Sequence, residues 1–339
     1  MRRILISCML SLVIYGLAFG LLLDRPLTLG VLREHIDANL DRGAAITGPK
    51  LVILAGSNGP YSHRCEMIGP LVGRPCINAG VAVGVGLDYL FTRWKPLLHP
   101  GDLVYLPLEE AQYPRDHAAS DLGPDAAIML RHDHATLWQM PARRELAALF
   151  SSDLRAAIMS LLETALLDTG FHDPRTAAAG STNVWGDHVG HTRALAAANR
   201  TALAAEDPYH PAAAQIANGY GTDLVQKFLV WAAHHQVRVI GGLPTGFDDS
   251  PISDSAVAAI ESIYRSVGAG FLELPGRSRY PRSAFFDSPD HLNEAAQIAH
   301  SLAVGRALRR MTGGVISPSR PSPVRLATTG PDPSPEPLR

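Results

Sequence analysis

Apolar residues run unbroken from Leu51 to Leu54, and small, turn-forming residues follow as AGSNG at 55–59. The pattern predicts a buried strand that ends in a tight turn. Residues 60–69 then predict a helix after Pro60. PCINAGVAVG at 75–84 repeats the theme with a short strand, a turn at Gly80 and a helix to about Trp94. LVYLPLE at 103–109 predicts a third strand after the Gly101–Asp102 turn. Further along, a helix over about Pro211 to His235 leads into the strand VRVIGGLP at 237–244. A helix over 253–266 leads into GFLELP at 270–275, and a long helix follows FFDSPDHLN at 285–293. Alternating strands and helices predict an α/β domain over 50–311, a three-layer α/β/α sandwich with a short parallel sheet.

Two stretches stand outside this alternation. Residues 111–209 are rich in Ala, Asp, His and Arg, with helical spacing over about Arg143 to Leu167. Their length predicts a helical insertion rather than a loop. Residues 1–23, MRRILISCMLSLVIYGLAFGLLL, place two arginines before roughly twenty mostly apolar residues. This predicts an uncleaved transmembrane anchor with a cytoplasmic N-terminus. A single-pass protein of the cell inner membrane with its catalytic domain in the periplasm follows. Residues 24–49 then form a membrane-proximal segment with a short amphipathic helix over about Leu29 to Leu40. From 312 to 339 the chain turns to Pro, Ser, Thr and Gly, which predicts a disordered tail.

Composition narrows the function classes. The chain has 339 residues, 46% of them apolar, and a formal net charge of −2. No basic excess points to nucleic acid. Three cysteines are too few for a disulfide scaffold. In the expected oxidising compartment, Cys65 and Cys76 read either as a disulfide behind the 55–59 turn or as two buried thiols.

The chemistry centres on Ser57 and His291. A serine on a strand-end turn can expose its hydroxyl above the carboxyl edge of a parallel sheet. A weak hydroxyl nucleophile needs a base, and the base needs a fixed tautomer. His291 follows a Ser-Pro turn, with Asp287 or Asp290 available to orient its ring. The bland alternatives are a helix-capping Ser57 and a surface His291. Asn58 and Glu109, with Asn183, Trp185 and Asp187 from the polar stretch 181–192, are candidates to line a substrate pocket. Asp187, His188 and His191 also suggest metal ligands, but no second half-site is evident, and neither a metal nor a cofactor is expected. Glu109 and Glu110 are adjacent on an extended chain and point apart, which disfavours glycoside hydrolysis.

AGSN at 55–58, INAG at 77–80 and FFDSPDHLN at 285–293 together resemble the motif blocks of the SGNH, or GDSL-like, hydrolase and acyltransferase superfamily. The resemblance implies Ser57 as nucleophile and His291 as base. It further implies backbone N–H groups of Ser57 and Gly80 in an oxyanion hole. Two positions depart from the pattern. PLEEAQY lacks the third block's asparagine, and the usual acid position is Ser288, leaving Asp287 as the preferred acid and Asp290 as the alternative. The anchored layout resembles a subgroup associated with cell-envelope polymers such as teichoic acid, alginate and cellulose. That implies a serine esterase or O-acyltransferase acting on an acylated polysaccharide or other envelope polymer, supplied by a membrane-bound acyl donor. The rival is a non-catalytic polysaccharide-binding or assembly protein of an export system.

Overall fold

In a computed structural model, residues 1–22, 27–151, 162 and 181–313 are described. Seven short strands form two parallel sheets. The larger sheet uses β1 (Leu51–Ile53), β2 (Cys76–Asn78), β3 (Leu103–Leu106), β4 (Arg238–Gly242) and β6 (Gly270–Leu272), in the order β2-β1-β3-β4-β6. Register is set by Leu51 beside Leu103 and Cys76, and by Leu103 beside Arg238. The smaller sheet pairs β5 (Gly246–Phe247) with β7 (Arg279–Tyr280).

Alternation along β1 explains why both faces need cover. Leu51 and Ile53 pack with Leu103, Tyr105, Ile240 and the apolar face of the helix Glu294–Thr312. Val52 and Leu54 point the other way, into a cluster with Val104, Leu106 and Val239. Successive side chains of a strand alternate faces, so an apolar run of this kind must be covered on both. On the first face lies α4 (Cys65–Val72), which follows α3 (Asn58–Ser62), and it packs against the helix Glu294–Thr312. Opposite are α5 (Leu87–Trp94) and the helices Tyr220–His234 and Asp254–Arg265, which contribute Phe91, Phe228 and Ile260. The outcome is the expected α/β arrangement, a parallel sheet between helical layers.

A buried ion pair sets the start of β1 against β3. Lys50 Nζ lies 2.9 Å from Asp102 Oδ2, and both side chains are fully buried. Asp102 also accepts the backbone N–H of Lys50 and of His99, each at 2.9 Å. Cys65 and Cys76 form a disulfide with Cα atoms 5.2 Å apart, tying the start of α4 to β2.

The described part of the insertion has helical segments at His117–Asp121, Pro124–His132, His134–Leu137 and Ala142–Ala148, while 181–192 is a turn closed by an antiparallel bridge from Thr182 to His188. Arg144 is fully buried, and its guanidinium bonds Asp125 and, at 3.0 Å, Asp88 on α5. The helical reading of Arg143 to Leu167 is met as far as Ala148; the chain turns at 149–151, and of the later part only Leu162 is described. Residues 314–339, expected as a disordered tail, also lie outside them. The expected helix over Pro211 to His235 is two helices, Ala213–Ala217 and Tyr220–His234. They part at Gly219, where a Cβ would sit 2.1 Å from the Tyr113 carbonyl oxygen.

The N-terminal anchor requires correction. Residues Arg2–Leu22 do form a helix, α1, but no helix among the described residues is long and apolar enough to cross a membrane. The anchoring of the chain in the cytoplasmic membrane, its single-pass inner-membrane and periplasmic placement, and the membrane-bound acyl donor inferred from them are withdrawn with it. The next helix, α2 (Leu27–Ala45), covers the helix expected over about Leu29 to Leu40, and its Ile36 and Leu40 are buried in the main core.

Candidate active site

The β1 chain leaves the sheet through Leu54 and Ala55 and turns at Gly56. The carboxylate of Glu109, carried past the end of β3, accepts the N–H of Gly56 and of Asn58, both at 2.8 Å. A Cβ on Gly56 would lie 2.4 Å from that carboxylate, so only glycine allows this brace. Burial pushes Glu109 well above the usual carboxylate range, against the pull of the N–H groups it accepts. Ser57 sits half-buried at the start of α3 in a right-handed helical conformation (φ −66°, ψ −21°), and its side chain makes no capping bond. Capping is therefore not what the hydroxyl does here.

Gly80 lies on the same turn. A Cβ there would meet Gly59 Cα and Pro60 Cδ at 2.7 Å and the Gly56 carbonyl oxygen at 2.8 Å. Its N–H is directed at Asn78 Oδ1 over a long 3.4 Å. Asn78, which sequence reasoning passed over, is a hub: its amide donates to the carbonyls of Gly59 and His63, each at 2.9 Å, and to Asp187 at 3.1 Å.

His291 reaches α3 from the opposite side. Its Nδ1 lies 2.6 Å from Asp287 Oδ1. A carboxylate only accepts, so Nδ1 carries the proton and Nε2 is left with its lone pair. Nε2 is buried and has no hydrogen-bond partner among the described residues. Of the two acids considered, Asp287 is the one that holds the imidazole. Asp290 instead offers its backbone carbonyl to Ser62 Oγ at 2.8 Å, which pins the loop to α3. Burial and the neighbouring Glu109 charge push the Asp290 carboxyl upward.

The ring of His291 lies flat on Tyr61, with centroids 3.9 Å apart and 12° between planes. His188 stacks on Tyr61 at 4.1 Å and 18°, so the two imidazoles take opposite faces of the phenol ring. His191 meets the edge of Tyr61 at 5.4 Å, and its Nδ1 lies 3.1 Å from Nδ1 of His188. Burial lowers His191 to about 4, and burial with the Asp287 charge pushes Tyr61 up to about 12. Tyr61 is four residues after Ser57, and its N–H donates to the Ser57 carbonyl at 3.3 Å. Residues so spaced on a helix share a face. No sequence signal singled out Tyr61; only the stacking identifies it.

The other candidates for substrate contact are engaged internally. Asn58 is fully buried and donates to the Pro107 carbonyl at 2.8 Å. Asp187 accepts the N–H of Cys65 at 2.8 Å and of Glu66 at 3.2 Å, capping α4. Asn183 Oδ1 accepts the N–H of Trp185 and of Asp187, each at 3.0 Å. Trp185 alone presents its side chain to solvent, while its carbonyl accepts the Asn78 N–H at 2.7 Å. Among the described residues, no group of three or more His, Cys, Asp or Glu is arranged to hold a metal ion. A cavity of about 200 Å³, walled by Arg193, Arg200, Leu203, Arg282 and Phe285, includes neither Ser57 nor His291. Compared with family models, curated proteins and solved structures, the chain has no significant match.

Proposed function

We propose that the chain is a serine-dependent esterase or O-acyltransferase, with Ser57 as nucleophile, His291 as base and Asp287 as orienting acid. The observation that carries this reading is the unpartnered, buried Nε2 of a His291 whose Nδ1 is committed to Asp287, on a ring stacked against the helix that Ser57 begins. His291 Nε2 takes the Ser57 proton as the hydroxyl oxygen attacks an ester carbonyl, and Asp287 steadies the imidazolium that forms. In this reading the oxyanion is met by the backbone N–H of Ser57 and by that of Gly80, which exchanges its long contact to Asn78 Oδ1 for the substrate. The proton passes to the departing alcohol, and acyl-Ser57 is resolved by water or by a sugar hydroxyl. The resemblance of the three sequence blocks extends the substrate to acylated polysaccharides and related polymers.

The test is intact-mass measurement on the full chain incubated with a small activated acyl ester, followed by peptide mapping. Ser57→Ala is expected to abolish an adduct on the 51–64 peptide, and His291→Ala to slow it by at least ~100-fold, the low end for a lost general base. Full turnover by Ser57→Ala excludes the mechanism. One observation favours the non-catalytic polysaccharide-binding reading: at the third-block position Glu109 spends both oxygens on Gly56 and Asn58, where the family pattern places an oxyanion donor. Polysaccharide binding by wild type and Ser57→Ala alike, with no adduct in either, decides for that reading.

A further inference from the structure

A second serine, histidine and carboxylate meet at the same edge of the sheet, built from residues that the Ser57 mechanism does not use. Glu110 opens the single helical turn after β3, His210 precedes the helix Ala213–Ala217, and Ser250 lies in the turn between β5 and the helix Asp254–Arg265. His210 Nδ1 is 2.8 Å from Glu110 Oε2, and His210 Nε2 is 3.0 Å from Ser250 Oγ. Arg279, on β7, donates to the other oxygen of Glu110 at 2.6 Å. Glu110 and Arg279 are buried, whereas His210 and Ser250 are half-buried.

The direction of each bond follows from what each group can do. A carboxylate that receives a guanidinium on one oxygen only accepts on the other, so His210 Nδ1 must be the protonated nitrogen. On the neutral imidazole Nε2 is then an acceptor, and the Ser250 hydroxyl is the only group of the pair able to donate. The serine proton therefore already points at the base. This polarity is what nucleophile activation requires, within the usual distance for a serine–histidine pair. Because residues 40 and 100 positions from His210 converge on its two ring nitrogens, the imidazole is fixed at both ends.

We propose that Ser250 is a second nucleophile, activated by His210 and with Glu110 as positioning residue, and that it accepts acyl groups from small esters. As Ser250 Oγ bonds the carbonyl carbon, its proton moves to His210 Nε2 and the carbonyl π pair moves onto oxygen. On collapse the carbon–alkoxy bond breaks, and the proton passes from His210 to the leaving alcohol. Water then attacks acyl-Ser250, giving a proton to His210, and the free acid leaves as Ser250 regains its own. The site stands whether or not Ser57 is catalytic.

A phosphonofluoridate probe reads both serines at once, because the serine oxygen displaces fluoride and leaves a stable phosphonyl mark. The full chain is labelled at neutral pH and digested with trypsin, and fragment spectra assign the mark within residues 51–64 or 239–265. The expected result is a mark on Ser250 in wild type and in Ser57→Ala. His210→Gln is expected to slow its appearance at least ~100-fold, and Ser250→Ala to remove it. Absence of a mark on Ser250 in the wild-type protein overturns the proposal, as does a rate unchanged in folded His210→Gln. A mark on Ser57 alone supports the first site and rejects the second.

Discussion

His291 rests face to face on Tyr61, with 3.9 Å between ring centroids and Asp287 holding the imidazole's far nitrogen at 2.6 Å. The imidazole is thus fixed in its plane by a ring and in its rotation by a carboxylate. Tyr61→Phe keeps the ring and is expected to leave acyl transfer to Ser57 within a few-fold of wild type. Tyr61→Ala frees the imidazole and is expected to lower kcat by up to ~100-fold with KM little changed, since small misplacements of a catalytic group carry penalties of that order. Steady-state kinetics on the two variants decide it. Equal losses in both assign the role to the phenol hydroxyl instead.

Glu109 braces the Ser57 turn through two backbone N–H groups. Glu109→Ala leaves both of those buried groups without their acceptor, at about 1–3 kcal/mol each. Glu109→Gln retains one accepting oxygen and is expected to lose about half as much. Urea unfolding of the three proteins measures this, and indistinguishable midpoints would show that the brace contributes nothing.

The buried pair His63 and His300 makes stability depend on acidity. Their Nε2 atoms are 3.3 Å apart, with His63 Nδ1 3.2 Å from the Asn58 carbonyl and His300 Nδ1 2.8 Å from the Tyr280 hydroxyl. With both rings neutral every atom of that chain has a partner, and with both protonated the two Nε2 atoms face each other as donors. Burial lowers His63 to about 4 and His300 well below its ordinary value. Unfolded histidines take up protons near pH 6.5, so the stabilisation is complete above that value. It is lost as pH falls from about 6.5 towards 4, by up to about 1.4 kcal/mol per pH unit for each ring. Glu109 and Asp290 oppose this, because carboxyls raised by burial hold protons in the folded state and weaken it as pH rises through the same window. His35 and His191, also lowered to about 4, add to the histidine side, and Asp125 and Asp187, raised by burial, add to the carboxyl side. The His300→Gln protein is therefore expected to lose less of its urea midpoint between pH 7 and pH 5 than the wild type, and an equal pH dependence of the two contradicts this assignment.

Asp102 neutralises a lysine that has no access to water. Asp102→Ala strands the Lys50 ammonium and two backbone N–H groups, and the expected loss is about 3–5 kcal/mol, the range for breaking a buried pair. Chemical denaturation checks it, and a loss under about 1 kcal/mol would mean that water reaches Lys50.

Reduction of Cys65–Cys76 reopens a short loop, with the cysteines 11 positions apart, and loop-closure entropy sets the expected loss near ~3 kcal/mol. Thermal unfolding with and without reductant measures it. Mass spectrometry under non-reducing conditions tests whether the bond is present.

Much of this fold is written locally. Apolar runs at 51–54, 103–106 and 239–240 mark strands buried on both faces, and Ser253 and Asn293 cap the helices they precede by accepting the N–H of Ala256 and Ala296. The break at Gly219 is not local: it exists because the Tyr113 carbonyl comes too close for a side chain. The pairing of β5 with β7 involves two residues on each strand, too few for any periodicity to register. In the candidate site, Ser57, His291 and Asp287 stand in recognisable sequence blocks. Tyr61 and Ser250 do not, because what distinguishes them is a ring or a hydrogen bond supplied from a distant segment. The apolar N-terminal run shows the opposite failure, as composition suggested a membrane span, and no helix among the described residues is long and apolar enough to make one.

The carbonyl of Trp185, held by the Asn183–Asp187 turn, receives the N–H of Asn78 on β2, the outermost strand of the sheet. An outer strand with free amides is a template for a neighbouring molecule to add its own strand, and proteins blunt that hazard by covering the rim. The 183–187 turn acts here as a guard against self-association. A lesion in it, such as Asn183→Ala, would register as concentration-dependent aggregation before any loss of acyl chemistry.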